Sequence, residues 1–258
     1  MNFELTLDQK SAQSHIQHFI TSSWNTDNPD SYICTLSGSA GTGKTTMTKM
    51  VVSMVRKSGK QVLCVAPTHK ARKVLDSIVN TSTFLRIPTS TVAGLLGKMR
   101  AHGYIGTQNY TKGMDTKMGM YDFFIVDEIS MVTTSDYKEI VNLAKHYQKK
   151  ILFVGDHLQI PNPSQRYIRE CKNGDEYMIK DINPAFHEPH QLHLKEIVRT
   201  DQNNPLSCLL EVVRDNVGSG YNFTKLHEMT GLLVSETLKS ESELESKESL
   251  GYILIKEL

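Results

Sequence analysis

Two patterns of apolar residues alternate along this chain: short continuous runs and longer stretches with a helical period. The short runs are typical of strands buried in a parallel sheet, and they lie at 32–36, 61–66, 123–126 and 151–154. The periodic stretches carry apolar residues on one face, which predicts helices at 8–22, 44–57, 70–79 and 135–147. This alternation predicts an α/β fold, with a parallel sheet and helices on both of its faces.

A glycine-rich turn with the sequence GSAGTGKT, residues 38–45, joins the first strand to the following helix. Its glycines let successive backbone N–H groups point inward at phosphate oxygens, and the helix N-terminus adds partial positive charge. In such a loop Lys44 reaches the β- and γ-phosphates, and the Thr45 hydroxyl ligates Mg²⁺. A chance glycine-rich turn is the alternative. The residues predicted to bind the nucleotide here are Gly38, Ser39, Ala40, Gly41, Thr42, Gly43, Lys44, Thr45 and Thr46.

Two adjacent carboxylates, Asp127 and Glu128, directly follow the strand at 123–126. They stand at its carboxyl end, where ligands of open α/β sheets bind. Asp127 can hold Mg²⁺, while Glu128 can orient and deprotonate an attacking water. The same pair could instead cap the next helix. Together with the loop at 38–45, however, the pair favours hydrolysis of the nucleotide over binding alone.

The composition says more about the cellular compartment of the protein than about its binding partner. The chain has 258 residues and a net charge of +1, so any basic surface for nucleic acid has to be local. Its cysteines lack metal-type spacing, and Cys34 and Cys64 lie in predicted buried strands. The sequence contains neither a signal-peptide core nor an apolar run of membrane-spanning length. These features predict a reducing, intracellular compartment and no membrane partner.

Six short segments follow one another between residues 5 and 200: LTLDQKSA, GSAGTGKT, VAPTHKA, VDEISM, FVGDHLQIP and LKEIVRT. This series resembles the motifs of superfamily 1 DNA helicases, closest to the RecD/Dda branch that includes phage helicases. The resemblance implies a RecA-like P-loop NTPase lobe over residues 1–200, with ATP and Mg²⁺ as cofactors. It also implies that Gln9 reads the adenine edge, and that Gln159 and Arg199 both interact with the γ-phosphate.

The last two residues also have physical interpretations of their own. Gln159 follows the strand at 151–154, so its amide lies on the predicted sheet edge and can respond to a phosphate. A loop glutamine in solvent is the alternative. The guanidinium of Arg199 could neutralise charge on the transferred phosphoryl group, although the residue on its own favours an ordinary surface arginine.

Hydroxyl and basic residues after the strand at 61–66 are candidates for contact with nucleic-acid phosphates. The resemblance assigns single-stranded DNA binding to Pro67, Thr68, His69, Lys70 and Thr91. An ordinary solvated helix start would explain the first four residues as well. The branch commonly has Thr-Ile-His where this chain has Thr91, Val92 and Ala93, so one expected polar contact is missing.

Two regions depart from the alternating pattern. Residues 97–120 predict an insertion, which the resemblance identifies as a small pin-like subdomain that splits the duplex; a disordered surface loop is the alternative. Residues 201–258 are too few for a second RecA-like lobe with motifs V and VI, so we expect its incomplete start. A truncated or split product of this kind implies a separate second-lobe polypeptide, or replication and recombination proteins, as partners.

Three functions are compatible with these features. The first is an ATP-dependent DNA helicase or translocase in DNA replication, recombination or repair, for which the resemblance implies 5′-to-3′ movement on single-stranded DNA. The second is a nucleotide- and DNA-binding remnant without unwinding activity. The third is a P-loop NTPase that does not act on nucleic acid. In each case we expect a cytoplasmic protein, in the host cytoplasm if a phage encodes it.

Overall fold

The computed structural model describes residues 4–81, 86–100, 110–112, 115–157, 159, 167–172, 175–180 and 183–198. The chain divides into two compact units, Met1–Glu196 and Ile197–Leu258. All of the helices and strands given below belong to the first unit. Arg199 and the predicted second-lobe segment 201–258 lie outside the described residues.

The described residues form five α-helices: α1 (Leu7–Thr21), α2 (Lys44–Lys57), α3 (His69–Val79), α4 (Val92–Leu95) and α5 (Thr134–Tyr147). They also form ten strands: β1 (Ile33–Gly38), β2 (Val62–Ala66), β3 (Thr89–Thr91), β4 (Lys98–Arg100), β5 (Tyr110–Lys112), β6 (Phe123–Val126), β7 (Lys150–Gly155), β8 (Tyr167–Lys172), β9 (Asp175–Lys180) and β10 (Gln191–Leu194).

Six of these strands form one sheet in the order β10-β1-β7-β6-β2-β3, and every neighbouring pair in it is parallel. The carboxyl ends of all six strands therefore lie at the same edge. The remaining strands form two antiparallel pairs, β4 with β5 and β8 with β9.

Successive residues of each central strand pack into two different cores. In β2, Val62 and Cys64 join a cluster with α1, α2 and α3, while Leu63 and Val65 join a cluster with α4 and α5. The side chains of β6 are fully buried in the same alternating way. Burying each large apolar side chain contributes about 1.5–3 kcal/mol, so both helical layers are held firmly on the sheet.

Most helices begin at a threonine whose hydroxyl accepts a backbone N–H of the first turn. Thr6, Thr68, Thr91 and Thr133 cap α1, α3, α4 and α5 in this way. Helix α2 is different, because its N-cap is Gly43 and no side chain bonds its first-turn N–H groups. This helix start is the one that follows the glycine-rich loop.

The predicted fold class is confirmed, and the predicted helices and strands of the main sheet lie within two residues of their observed bounds. Cys34 and Cys64 are buried free thiols, as expected, and burial raises the pKa of Cys64 to about 12. The sequence did not predict β3 and β10, which are short strands at the two borders of the sheet. Across the described residues, no helix combines the length and apolar character that crossing a membrane requires.

Within the segment 97–120, the antiparallel pair of β4 and β5 places Lys98 opposite Lys112. Lys98 also forms ion pairs with Asp136, at 2.5 Å, and Glu139, at 2.6 Å, both on α5. The end of the segment packs differently, since Met118 is fully buried in the core beneath α4 and α5. At Met118, therefore, the segment belongs to the main core.

Candidate nucleotide and nucleic-acid site

The strand order brings the sequence-predicted residues together along one edge of the sheet. The glycine-rich loop follows β1, Gln159 follows β7, and Asp127 and Glu128 follow β6. These three strands are direct neighbours. The predicted nucleotide residues of the loop, the carboxylates and Gln159 thus occupy one continuous stretch of the carboxyl edge, where open α/β sheets bind ligands.

The loop itself depends on glycine for two separate reasons. Gly41 and Gly43 adopt φ values of 86° and 89°, a left-handed conformation that side chains disfavour. At Gly38 the reason is lack of space for a side chain, because a Cβ there would lie 2.6 Å from Thr42 Oγ1 and 2.9 Å from the Leu194 carbonyl oxygen. Thr42 is fully buried and donates from its hydroxyl to the Ser39 carbonyl at 2.8 Å, which closes the loop on itself.

The side chain of Lys44, the predicted phosphate-binding lysine, folds back onto the glycine-rich loop. Its Nζ donates to the Gly38 carbonyl at 2.7 Å and to the Ser39 carbonyl at 2.9 Å. An ammonium group held at the loop by carbonyl oxygens can exchange these neutral acceptors for phosphate oxygens, which form stronger charge-assisted bonds. Thr45, the next residue, is exposed at the start of α2.

Gln9 contacts this loop from α1. Its side-chain Nε2 donates to the Thr42 carbonyl at 2.9 Å, and its Oε1 accepts the Thr6 backbone N–H at 3.2 Å. The side chain is fully buried. Gln9 therefore ties the α1 N-terminus to the middle of the loop, while contact with adenine stays a prediction from the resemblance.

Asp127 and Glu128 differ in backbone and in charge environment. Burial, together with the neighbouring negative charge of Glu128, raises the pKa of Asp127 to about 6, although its bond from the Glu128 N–H and the Lys44 charge act against this. Glu128 has φ 55° and ψ 43°, an uncommon left-handed conformation for a residue with a side chain. Such backbone outliers concentrate at functional sites.

The loop after β7 also packs against the carboxylate turn. A Cβ on Gly155 would lie 2.8 Å from Ile129 Cγ2, so the end of β7 and the residues after Glu128 are in close contact. Asp156 is buried, and its carbonyl accepts the Gln159 backbone N–H at 3.2 Å. Gln159 is half-buried in this turn, and the strand that precedes it, β7, pairs with β6, the strand that precedes the carboxylates.

The predicted DNA-binding residues follow the next two strands along the same edge. Ala66 of β2 is in register with Thr91 of β3, so the chain segments that leave these strands begin side by side. Thr68 Oγ1 accepts the Ala71 N–H at 3.1 Å, and Thr91 Oγ1 accepts the Gly94 N–H at 3.0 Å. Each hydroxyl keeps its own hydrogen for a further acceptor. His69 and Lys70 are exposed, and Pro67 is half-buried.

Two basic residues near this edge, which the sequence alone would suggest are free to bind phosphates, bond other side chains of the protein. Arg72 donates to Thr89 Oγ1 at 3.2 Å, and Thr89 in turn donates to Asp76, so Arg72 belongs to a structural network. Lys117, which the sequence placed in the predicted insertion, has its Nζ 3.3 Å from Ser90 Oγ. Ser90 is in β3, beside Thr91, and no local sequence signal linked it to Lys117.

Comparison with known proteins supports the resemblance of this chain to DNA helicases. The AAA domain family matches residues 17–229 of the chain. ATP-dependent DNA helicase dda from Enterobacteria phage T4 is 26% identical over 201 residues, which cover 77% of this chain and 40% of that protein. ATP-dependent RecD2 DNA helicase from Deinococcus radiodurans is 32% identical over 126 residues, 49% of this chain and 16% of that protein. The chain thus spans 40% or less of these curated relatives.

Among solved structures, Bacteroides Pif1 bound to single-stranded DNA has a TM-score of 0.54 and 18% sequence identity. That similarity covers 90% of this chain and 49% of the Pif1 chain, and at this identity it establishes the fold alone. The family match and the helicase relatives confirm the resemblance to the RecD/Dda branch of superfamily 1, which the order of motifs had predicted.

Proposed function

Because this chain belongs to the AAA domain family, we propose that it is the ATP-hydrolysing lobe of a DNA helicase or translocase. The observation that carries this proposal is the strand order of the sheet. The nucleotide residues follow β1, β7 and β6, while the proposed DNA residues follow the adjoining strands β2 and β3. In this proposal the ATP site and the strand-binding track lie side by side on one edge, since β6 and β2 are direct neighbours.

In the proposed reaction the loop binds the triphosphate of ATP through its backbone N–H groups and the uncapped start of α2. Lys44 exchanges the Gly38 and Ser39 carbonyls for the β- and γ-phosphate oxygens. Glu128 accepts a proton from the attacking water, and Gln159 donates its amide to the γ-phosphate until the phosphate leaves. Arg199 neutralises charge on the same group.

Mg²⁺ fits the donors that this site offers. The exposed Thr45 hydroxyl and the Asp127 carboxylate are both oxygen donors of the type that Mg²⁺ prefers. The elevated pKa of Asp127 reflects negative charge that has lost solvent without gaining a sufficient positive partner. When bound, the ion would neutralise charge on the phosphate oxygens; Thr45 and Asp127 are the residues that would hold it.

Single-stranded DNA is the proposed polymer. Thr68, His69, Lys70 and Thr91 would contact its phosphates, with Pro67 shaping the turn before them. Residues 1–200 would form the lobe, with the pin-like segment at 97–120, and residues 201–258 would begin a second lobe. The lobe would take part in movement along the strand in the 5′-to-3′ direction. Partner proteins would supply the rest of the second lobe.

The test is ATP hydrolysis by the purified chain, with and without an oligothymidylate strand. We expect weak hydrolysis that single-stranded DNA stimulates several-fold, because the proposed sites follow neighbouring strands, β6 and β2. Hydrolysis that ignores DNA would instead indicate an NTPase acting on another substrate. Binding of ATP and DNA with no turnover would indicate a binding protein, and failure to bind ATP would contradict the proposal entirely.

A further inference from the structure

The first turn of α1 touches two parts of the chain that are distant in sequence. On one side, the buried Gln9 side chain donates to the Thr42 carbonyl in the middle of the glycine-rich loop, at 2.9 Å. On the other side, the neighbouring Asp8 bonds the segment that leaves β10. Asp8 and Gln9 are consecutive residues in the capped first turn of α1, so both contacts come from the same helical turn.

The Asp8 carboxylate accepts four hydrogen bonds. Its Oδ2 accepts the backbone N–H of Lys195 at 2.6 Å and that of Glu196 at 3.2 Å, and its Oδ1 accepts the Gln9 N–H at 2.9 Å. The Thr6 hydroxyl donates to Oδ1 as well. Partial burial raises the pKa of Asp8, but these hydrogen bonds outweigh it and hold the pKa below its ordinary value. Ionised acceptors of this type form the stronger class of hydrogen bond.

The segment that Asp8 holds also begins directly beside the loop. Leu194, the last residue of β10, is in register with Gly38, the first residue of the loop. Their approach is so close that a Cβ on Gly38 would lie 2.9 Å from the Leu194 carbonyl oxygen. Lys195 and Glu196 follow at once, and Arg199 comes three residues later in the sequence. The exit from β10 therefore contacts the loop through Gly38 and through the Asp8–Gln9 pair.

We propose that Asp8 is a positioning residue that couples nucleotide binding in the loop to the placement of Lys195 and Glu196. The inference rests on the proposed function, since it takes the loop as the nucleotide site. A nucleotide that orders the loop fixes Thr42, and through Gln9 and Asp8 it fixes the exit from β10. By thermodynamic reciprocity, loosening that exit weakens nucleotide binding, by about fivefold for a coupling of ordinary size.

Hydrogen exchange of the full chain, with and without a non-hydrolysable ATP analogue and Mg²⁺, tests this coupling. In the wild type we expect the nucleotide to protect both the loop at 38–45 and the amides of Lys195 and Glu196. Asp8→Asn keeps the size of the side chain but removes its charge, so the loop should still be protected while protection at 195–196 is lost. Asp8→Glu should restore part of it. The matched control is Asp27→Asn, an exposed aspartate in a turn, which should behave as wild type.

The outcomes separate the inference from the function beneath it. If the nucleotide protects neither the loop nor residues 195–196 in the wild type, the nucleotide site is wrong and the inference falls with it. If the loop is protected but 195–196 respond equally in wild type and Asp8→Asn, the nucleotide site stands and the role of Asp8 is wrong. Should Asp8→Asn unfold, the same comparison between wild type and Asp8→Glu decides, because a coupling carried by Asp8 predicts a smaller nucleotide response at 195–196 in Asp8→Glu.

Discussion

Ala66 and Thr91 are in register at the ends of two parallel strands, β2 and β3, so the segments that follow them start as neighbours. Thr68 caps the start of α3 on one of these segments, and Thr91 itself caps the start of α4 on the other. The arrangement places two hydroxyl groups and the exposed Lys70 along one part of the carboxyl edge. A track of this composition suits phosphates better than bases.

Lys70→Ala should weaken the binding of single-stranded DNA to a similar degree for different base compositions. The slope of log affinity against log salt should also fall by about one counterion, because one phosphate contact is removed. The measurement is a salt titration of oligonucleotide binding. Lys145→Ala is the matched control, since Lys145 is an exposed lysine in the last turn of α5, away from this edge. An unchanged slope, or a defect limited to one base composition, would remove Lys70 from the track.

Glu128→Gln and Asp127→Asn should separate catalysis from metal binding. Glu128→Gln keeps the shape of the side chain but removes the base, so ATP should still bind while turnover falls by about 10²–10⁴-fold. Asp127→Asn should instead weaken the Mg²⁺-dependent part of nucleotide binding. The measurements are nucleotide affinity with and without Mg²⁺ and single-turnover hydrolysis. Equal loss of binding in both variants, with normal turnover of the bound nucleotide, would contradict this division of roles.

Much of this site was predictable because its residues follow strands that the apolar pattern identifies. The loop at 38–45 and the carboxylates after β6 are of this kind, since local sequence determines both the strand end and the chemistry beside it. The contacts of Gln9 with Thr42, and of Lys117 with Ser90, join residues far apart in sequence. No local pattern encodes such contacts. The short strands β3 and β10 were missed for a related reason, because each gains its partners only within the assembled sheet.

A lysine at the opposite edge of the sheet gives a test of stability against pH. Lys150 is buried, and its Nζ donates to the Ser22 carbonyl at 2.6 Å and the Ser22 hydroxyl at 2.9 Å. Burial, with the nearby charge of Lys60, lowers the pKa of Lys150 to about 8. In the unfolded chain the pKa of Lys150 is near 10.5. Between about pH 8 and pH 10.5, therefore, the Lys150 side chain binds more protons in the unfolded chain than in the folded chain.

It follows that the contribution of Lys150 to stability rises between pH 8 and pH 10.5. Relative to Lys150→Met, the free energy of unfolding of the wild type should increase by about 1–3 kcal/mol between pH 7 and pH 10. Urea unfolding of both proteins at the two pH values measures this difference. A difference that stays constant, or that shrinks as the pH rises, would show that the Lys150 pKa is not lowered by folding.

The central claim is that the loop at 38–45 binds ATP through Lys44, and equilibrium binding of a fluorescent ATP analogue tests it most directly. We expect the wild type to bind the analogue with Mg²⁺, and Lys44→Ala to lose at least a factor of ten in affinity, because charge-assisted bonds to phosphate are removed. The variant should fold normally, since the Lys44 side chain lies at the loop and outside both apolar cores. Equal affinity in wild type and a correctly folded Lys44→Ala would contradict the account.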